Sequence, residues 1–317
     1  MEPVAFQVAQ GITAIDTFMG GRERYTAAYL LDADQPTLVE TGPGTSVGPV
    51  TRALTRLGLA RDDLAHVVVT HIHLDHAGGV GALAERFPSA TVWVHERGAR
   101  HLADPTRLIA STARVWGERE MTELFGPTGP VPAGRLRALR DADAIDLGGR
   151  ELEVLDTPGH ASHHLALVDS RTGVVFTGDA LGIHVPDLPV LRPATPPPEF
   201  DLERYVASIE RIRGRARSSL LFAHFGPLED VEATCDLAIR RVRDWTQLVG
   251  EAMRDTEDPE ELALRLERAA LDDIETGAES TLDLQTLEDR LRLLSSIRMN
   301  AQGIARYWRK RREREGG

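Results

Sequence analysis

The segment His71-Ile72-His73-Leu74-Asp75-His76 constrains this chain more than any other. It follows an apolar run, Val67-Val68-Val69, and precedes Gly78-Gly79 and a stretch with helical spacing. His71 and His73 stand two residues apart, so in extended backbone both imidazoles point to one side. Asp75 and His76 then fall on the turn into the helix. Metal-capable side chains thus crowd one strand-to-helix corner. Polar residues capping the next helix would account for the aspartate and for none of the histidines. A metal wants about four ligands, with an open position where it is catalytic, so this corner cannot complete two sites alone.

Further ligand types recur in matching contexts. Thr157-Pro158-Gly159-His160 follows the predicted strand Glu151–Asp156, Thr177-Gly178-Asp179 follows Val174–Phe176, and Ala223-His224-Phe225-Gly226 follows Leu220–Phe222. Each places a metal-binding side chain just past an apolar strand. Ligands at the same ends of neighbouring strands can converge on one edge of a sheet sandwich.

The motifs HIHLDH, TPGH, TGD and AHFG, in that order over roughly residues 10 to 230, resemble the metallo-β-lactamase fold superfamily, specifically its HxHxDH hydrolase branch. The resemblance implies an α+β fold, an αββα four-layer sandwich with a dinuclear site at one sheet edge. It implies that His71, His73 and His160 bind one metal, that Asp75, His76 and His224 bind a second, and that Asp179 bridges the pair. Asp75 and Asp179 are the carboxylates it implicates in catalysis. All of these positions match the pattern. One departure is Glu40-Thr41-Gly42, where many members have Asp-Thr-Gly and the aspartate supports the ligand shell.

Two divalent ions are implied, zinc first, although iron and manganese accept the same ligands. Such a pair lowers the pKa of a bridging water enough to give hydroxide near neutral pH, which attacks an electrophilic carbonyl. The expected function is therefore metal-dependent hydrolysis of a small-molecule ester-like bond. Thioesters come first, because TPGH and TGD resemble the hydroxyacylglutathione hydrolase (glyoxalase II) group, which also carries C-terminal helices. Lactones come second: acyl-homoserine lactonases share the ligand set but usually have a tyrosine after the bridging aspartate, where this chain has Ala180. An alternative of another class is a mononuclear iron oxidoreductase similar to persulfide dioxygenases.

Composition narrows the rest. The net charge is −12, a poor match to a nucleic-acid partner. Lys310 is the one lysine, which excludes lysine chemistry from the body of the fold, and Cys235, the one cysteine, excludes a disulfide framework. We expect Cys235 to be a small core residue on a helix. No run is long and apolar enough for a membrane span, and Met1 to Gln10 lacks a signal-peptide pattern, so a cytoplasmic protein is expected.

Strand signals dominate residues 1–229, read as the catalytic domain, and helical ones residues 230–317, read as an appendage. Val47–Leu57, Val80–Phe87 and Asp201–Arg213 have helical spacing, Asp201 as N-cap. Asp258-Pro259-Glu260-Glu261 starts a helix with a capping box, and Thr281–Arg312 gives another with Leu284, Leu287, Leu291 and Leu294 inward. The Pro- and Gly-broken segment 97–140 reads as a lid insertion with exposed aromatics Trp116 and Phe125. With His184, which lies just after the TGD motif, these are candidate substrate contacts. His66, His95, His163 and His164 are assigned packing roles. A homodimer through the helices is a further expectation.

Overall fold

Short runs rich in valine, isoleucine and leucine pair into mixed sheets. A computed structural model describes residues 4–185, 190–275 and 290–315. The chain divides into two compact units, each discontinuous in sequence. The first comprises Met1–Asp156, His163–Gly178 and Arg215–Glu229; the second comprises Thr157–Ser162, Asp179–Gly214 and Asp230–Gly317. The expected cut after residue 229 is thus one of several crossings, because 157–162 and 179–214 cluster with the helices.

The first unit opens with a seven-stranded sheet ordered β1 (Ala5–Ala9), β2 (Ile12–Asp16), β3 (Ala27–Leu31), β4 (Thr37–Val39), β5 (His66–Val68), β6 (Thr91–His95) and β7 (Leu136–Leu139). Strands β1 to β4 pair antiparallel, and β4 to β7 pair parallel. Parallel neighbours require crossovers. Helix α1 (Val47–Arg56) supplies the one between β4 and β5, and α2 (Leu74–Ala77) and α3 (Val80–Arg86) the one between β5 and β6. Helices α4 (Glu96–Ala103), α5 (Thr106–Trp116) and α6 (Glu118–Glu120) lie between β6 and β7.

The unit's second sheet contains β8 (Ala144–Asp146), β9 (Glu151–Asp156), β10 (Leu165–Asp169) and β11 (Val175–Gly178). After β12 (Ile183–Val185) and β13 (Val190–Arg192), which belong to the second unit, come β14 (Leu220–Phe222) and β15 (Pro227–Leu228). The sheet order is β15-β14-β11-β10-β9-β8, with β11 and β14 parallel.

Alternation along β3 shows how the layers are built. Ala28 and Leu30 join Leu38, Val67, Val92 and Val94 in a core shared with Val50 and Leu54 of α1 and Leu83 of α3. Ala27, Tyr29 and Leu31 face the other way, against Val154, Leu165, Leu167, Phe176 and Leu221 of the second sheet. A strand buried on both faces reads as a continuous apolar run. Helix, sheet and sheet are therefore three layers of the first unit.

The second unit holds the β12–β13 hairpin, α7 (Leu202–Arg213), α8 (Val231–Ala252), α9 (Pro259–Glu275) and α10 (Ile297–Glu315). Asp201 caps α7 by accepting from Arg204 N, Asp230 caps α8 through Ala233 N, and Asp258 caps α9 through Glu260 N and Glu261 N. The reciprocal half of the expected capping box is replaced: Asp258 N donates to Thr256 Oγ1, and Glu261 bonds Arg265. Cys235 is buried on α8, as its surroundings in sequence suggest. Among the described residues no helix is long and apolar enough to cross a membrane.

Several expectations need correction. Residues 136–139 of the supposed lid form β7, an integral edge strand, because Leu136 and Leu139 both reach apolar cores. Phe125 is 2% exposed and packs edge-on against the half-buried Trp116, centroids 5.7 Å apart. Its segment is pinned by Thr45 Oγ1 donating to Leu124 O at 2.6 Å, so it is core rather than an exposed aromatic. The Pro-rich segment 186–198 contains β13, with 186–189 outside the described residues. Of the helix expected over 281–312, residues 281–289 (with Leu284 and Leu287) also lie outside them. Leu291 and Leu294 are buried, and the helical conformation is interrupted at Ser295-Ser296 before α10.

Candidate metal centre

The HIHLDH corner sits just past the end of β5, where an α/β unit brings loops together for binding. His71 is fully buried, His73 is extended at the N-cap of α2, and Asp75 and His76 lie within that helix. His71 Nε2 is 3.0 Å from His73 Nδ1. The rings of His71 and His76 are 4.0 Å apart, and a ligand atom of each lies within 4.8 Å of the other. A second group joins them in the same unit. Asp75 Oδ2 is 3.6 Å from His76 Nε2 and 3.4 Å from His224 Nε2, the latter just beyond β14.

Backbone carbonyls fix which ring nitrogens carry the proton. His224 Nδ1 is 3.1 Å from Tyr25 O, and a carbonyl only accepts, so Nδ1 carries the proton and Nε2 keeps its lone pair toward Asp75. Tyr29 OH donates to Phe222 O and thereby ties down the strand end that leads to His224. Burial pushes the Tyr29 phenol well above its ordinary pKa, so it remains a donor.

Glu40 reaches the centre despite the departure from aspartate. Its Oε1 accepts from Thr70 N at 3.1 Å, and its Oε2 lies 3.5 Å from His76 Nδ1. The residue is buried and adopts φ of +68°, a conformation uncommon outside glycine. The following Thr41 donates to His76 O through both its N–H, at 3.0 Å, and its hydroxyl, at 2.7 Å. The turn after β4 therefore clamps α2 from below while its acid faces the His76 ring.

His160 and Asp179 belong to the second unit and are brought together there, His160 Nε2 lying 3.5 Å from Asp179 Oδ2. His160 Nδ1 faces Ala194 O at 2.9 Å, which again leaves Nε2 as the atom that could ligate. Gly159, with φ of +131°, permits this turn: a Cβ there would stand 2.3 Å from Tyr205 N. Tyr205 OH donates to Asp179 O at 3.2 Å, and burial raises its phenol far above the ordinary range.

The separations between neighbouring candidate ligand atoms run from 3.0 to 3.6 Å. Ligands at ~2.1 Å around a tetrahedral cation stand about 3.4 Å from one another. Two imidazole nitrogens 3.0 Å apart, with His71 Nδ1 already facing Thr70 Oγ1 at 3.0 Å, make sense around a shared cation. The donor set of imidazoles and carboxylates therefore fits divalent metal ions.

The other histidines are supporting groups. His66 accepts from Trp93 Nε1 and faces Gln35, and His95 caps α4 by accepting from Arg97 N. His164, fully buried, packs its ring 4.9 Å from that of His71, and His163 lies edge-on to His73 at 5.6 Å. His184 is half buried on β12 of the second unit, whereas Trp116 and Phe125 belong to the first. Sequence reasoning missed Tyr25, Ala194 and Tyr205, whose roles run largely through backbone groups and a lone hydroxyl.

The geometry defines a histidine- and aspartate-rich metal-binding class, and comparison with known proteins supplies the family. Residues 21–224 match the family model described as the metallo-beta-lactamase superfamily, and the chain belongs to that superfamily. The solved archaeal superfamily protein ST1585 from Sulfolobus tokodaii superposes with a TM-score of 0.68 at 20% identity, covering 93% of this chain and 98% of that one. The chain is 31% identical to a hydroxyacylglutathione hydrolase of Rhodopseudomonas palustris, over 42% of this chain and 39% of the relative. It is 29% identical to the acyl-coenzyme A thioesterase MBLAC2 of Bos taurus, over 47% of this chain and 55% of the relative. The chain thus spans about half the length of these curated relatives.

Proposed function

We propose that the protein is a cytoplasmic dinuclear metallohydrolase that cleaves a small-molecule thioester. In this reading His71, His73 and His160 would hold one ion, Asp75, His76 and His224 would hold the other, and Asp179 would serve both. Zinc is the first choice, with iron or manganese as substitutes. The observation that carries the proposal is the matched orientation of His160 and His224, whose Nδ1 atoms face backbone carbonyls and whose Nε2 atoms face carboxylates. The thioester preference rests on likeness to relatives named for thioester chemistry.

When bound, the ions supply a nucleophile at neutral pH and polarise the scissile carbonyl. The chain's own residues do the rest. Glu40 holds the His76 ring, Tyr25 and Ala194 carbonyls keep two imidazoles in the ligating tautomer, and the Asp179 carboxylate takes the proton released as the nucleophile attacks. Residues 1–229 carry the catalytic machinery, and the C-terminal helices supply the homodimer contact.

The test is a panel of hydroxyacylglutathione, acyl-coenzyme A, homoserine lactone and phosphodiester substrates with metal-loaded protein, alongside metal analysis. Thioester turnover with two ions per chain is expected. Preferential lactone cleavage would move the protein to the second substrate class. One iron per chain with oxygen uptake on persulfides, or phosphodiester cleavage alone, would overturn the proposal.

A further inference from the structure

We infer that Asn300, on the C-terminal helix, is a positioning residue for His160. The inference rests on the reading of His160 as a metal ligand and adds a residue distant in sequence from every motif. His160 Nδ1 is oriented by Ala194 O, so the metal-facing direction of the ring depends on how residues 193–196 are held. Two of those four residues are prolines, at 193 and 196, and bring no N–H. The backbone of the segment can therefore donate only through Ala194 N and Thr195 N. Ala194 N donates to Tyr205 OH at 3.4 Å, a long bond. Thr195 N donates to Asn300 Oδ1 at 2.7 Å.

The Asn300 contact is built as a clamp. The Thr195 hydroxyl lies 2.9 Å from the same Oδ1 and 3.2 Å from the Asn300 backbone oxygen. Asn300 Nδ2 donates to Ser295 Oγ at 3.2 Å, which fixes the amide so that its oxygen faces Thr195. Thr195 is fully buried and Asn300 is 2% exposed, so water does not compete for these bonds. One turn further along α10, Gly303 lies directly on the segment: a Cβ there would stand 1.8 Å from Thr195 O. The helix thus approaches the backbone closely enough to fix the carbonyl that orients the ligand.

The experiment uses the full-length chain and reads zinc affinity by competition with a chromophoric chelator, with melting of the metal-free protein measured in parallel. Asn300→Ala should weaken the tighter or weaker of the two sites by about 10- to 100-fold, the range typical for loss of a group supporting a ligand. Asn300→Asp keeps an acceptor oxygen for Thr195 N–H and should recover most of that affinity. Tyr307→Phe removes a bond from the same helix to Glu203, on α7, and should leave affinity within about twofold. An Asn300→Ala protein that melts lower yet binds zinc as the parent does would overturn the inference. If that variant does not fold, Asn300→Ser, too short to reach Thr195 N–H, carries the same comparison. His160→Ala separates the two levels: unchanged zinc binding there sinks the ligand assignment itself, whereas lost binding in His160→Ala with none lost in Asn300→Ala sinks only this inference.

Discussion

Replacing Arg150 with methionine removes the centre of a buried polar junction in the first unit. Arg150 and Asp169 form an ion pair with both side chains fully buried. The guanidinium also donates through Nη1 to Gly11 O at 3.0 Å and Asp32 O at 3.3 Å, so it joins the β1–β2 turn and the end of β3 to the end of β10. Thr172 donates to the other carboxylate oxygen, its N–H at 2.7 Å and its hydroxyl as well. Burial alone would raise the Asp169 pKa, but the bonds from Arg150 and Thr172 outweigh it and hold the carboxyl below its usual range.

Arg150→Met strands that carboxylate and two carbonyls. Removing one partner of a buried pair costs about 3–5 kcal/mol. At roughly 2–4 °C per kcal/mol for a unit of this size, the melting temperature should fall by about 6–20 °C. Replacing both partners, as Arg150→Met with Asp169→Leu, should recover much of the loss, because an apolar pair avoids the desolvation penalty. Urea unfolding of the parent, the single variants and the double variant gives the coupling energy. The depressed Asp169 pKa contributes stability above about pH 4, which is lost as pH falls through the lowered value. In Arg150→Met the stranded acid should protonate more readily, so the gap to the parent should narrow on acidification. A single-variant loss below about 1 kcal/mol, or a double variant no better than the single, would refute the reasoning.

Other outcomes can be checked directly. Asp179→Ala should abolish turnover and weaken metal retention, and chelation of the parent should abolish turnover reversibly; full activity in the variant would contradict the role proposed for Asp179, and full activity after chelation the proposed metal dependence. Glu40→Gln should lower metal affinity by about 10- to 100-fold in chelator competition, since the neutral amide no longer supports His76 as a carboxylate does. Burial raises the Asp16 pKa to about 6, so the folded state holds a proton that the unfolded state releases near pH 4. Stability should therefore fall as pH rises from about 4 to about 6, and Asp16→Asn should flatten that slope in urea midpoints. The buried Cys235 thiol is pushed up to about 11, so it should react with a thiol reagent far more slowly in native protein than in urea.

Much of the candidate site was legible because its candidate ligands follow apolar runs that form strands almost wherever they occur. His71, His160, Asp179 and His224 each stand just past β5, β9, β11 and β14, and a strand end fixes where the next side chain begins its turn. The corrections fall where the deciding partner is distant. Phe125 looked exposed amid Gly and Pro, yet the Thr45 bond to Leu124 O draws its segment inward. Residues 136–139 have a weak strand signal, and pairing with β6 makes them a strand.

The sequence by itself determined the kinds of candidate ligand and their order, because imidazoles and carboxylates announce their chemistry wherever they stand. Only the tertiary structure decided which nitrogen of His160 and of His224 is the donor, since the carbonyls of Ala194 and Tyr25 are groups that every residue possesses. It also decided that Glu40 could replace a shorter acid, through a left-handed backbone that brings its carboxylate to His76. Side-chain identity is written residue by residue, whereas the direction of a backbone carbonyl is set by everything packed around it.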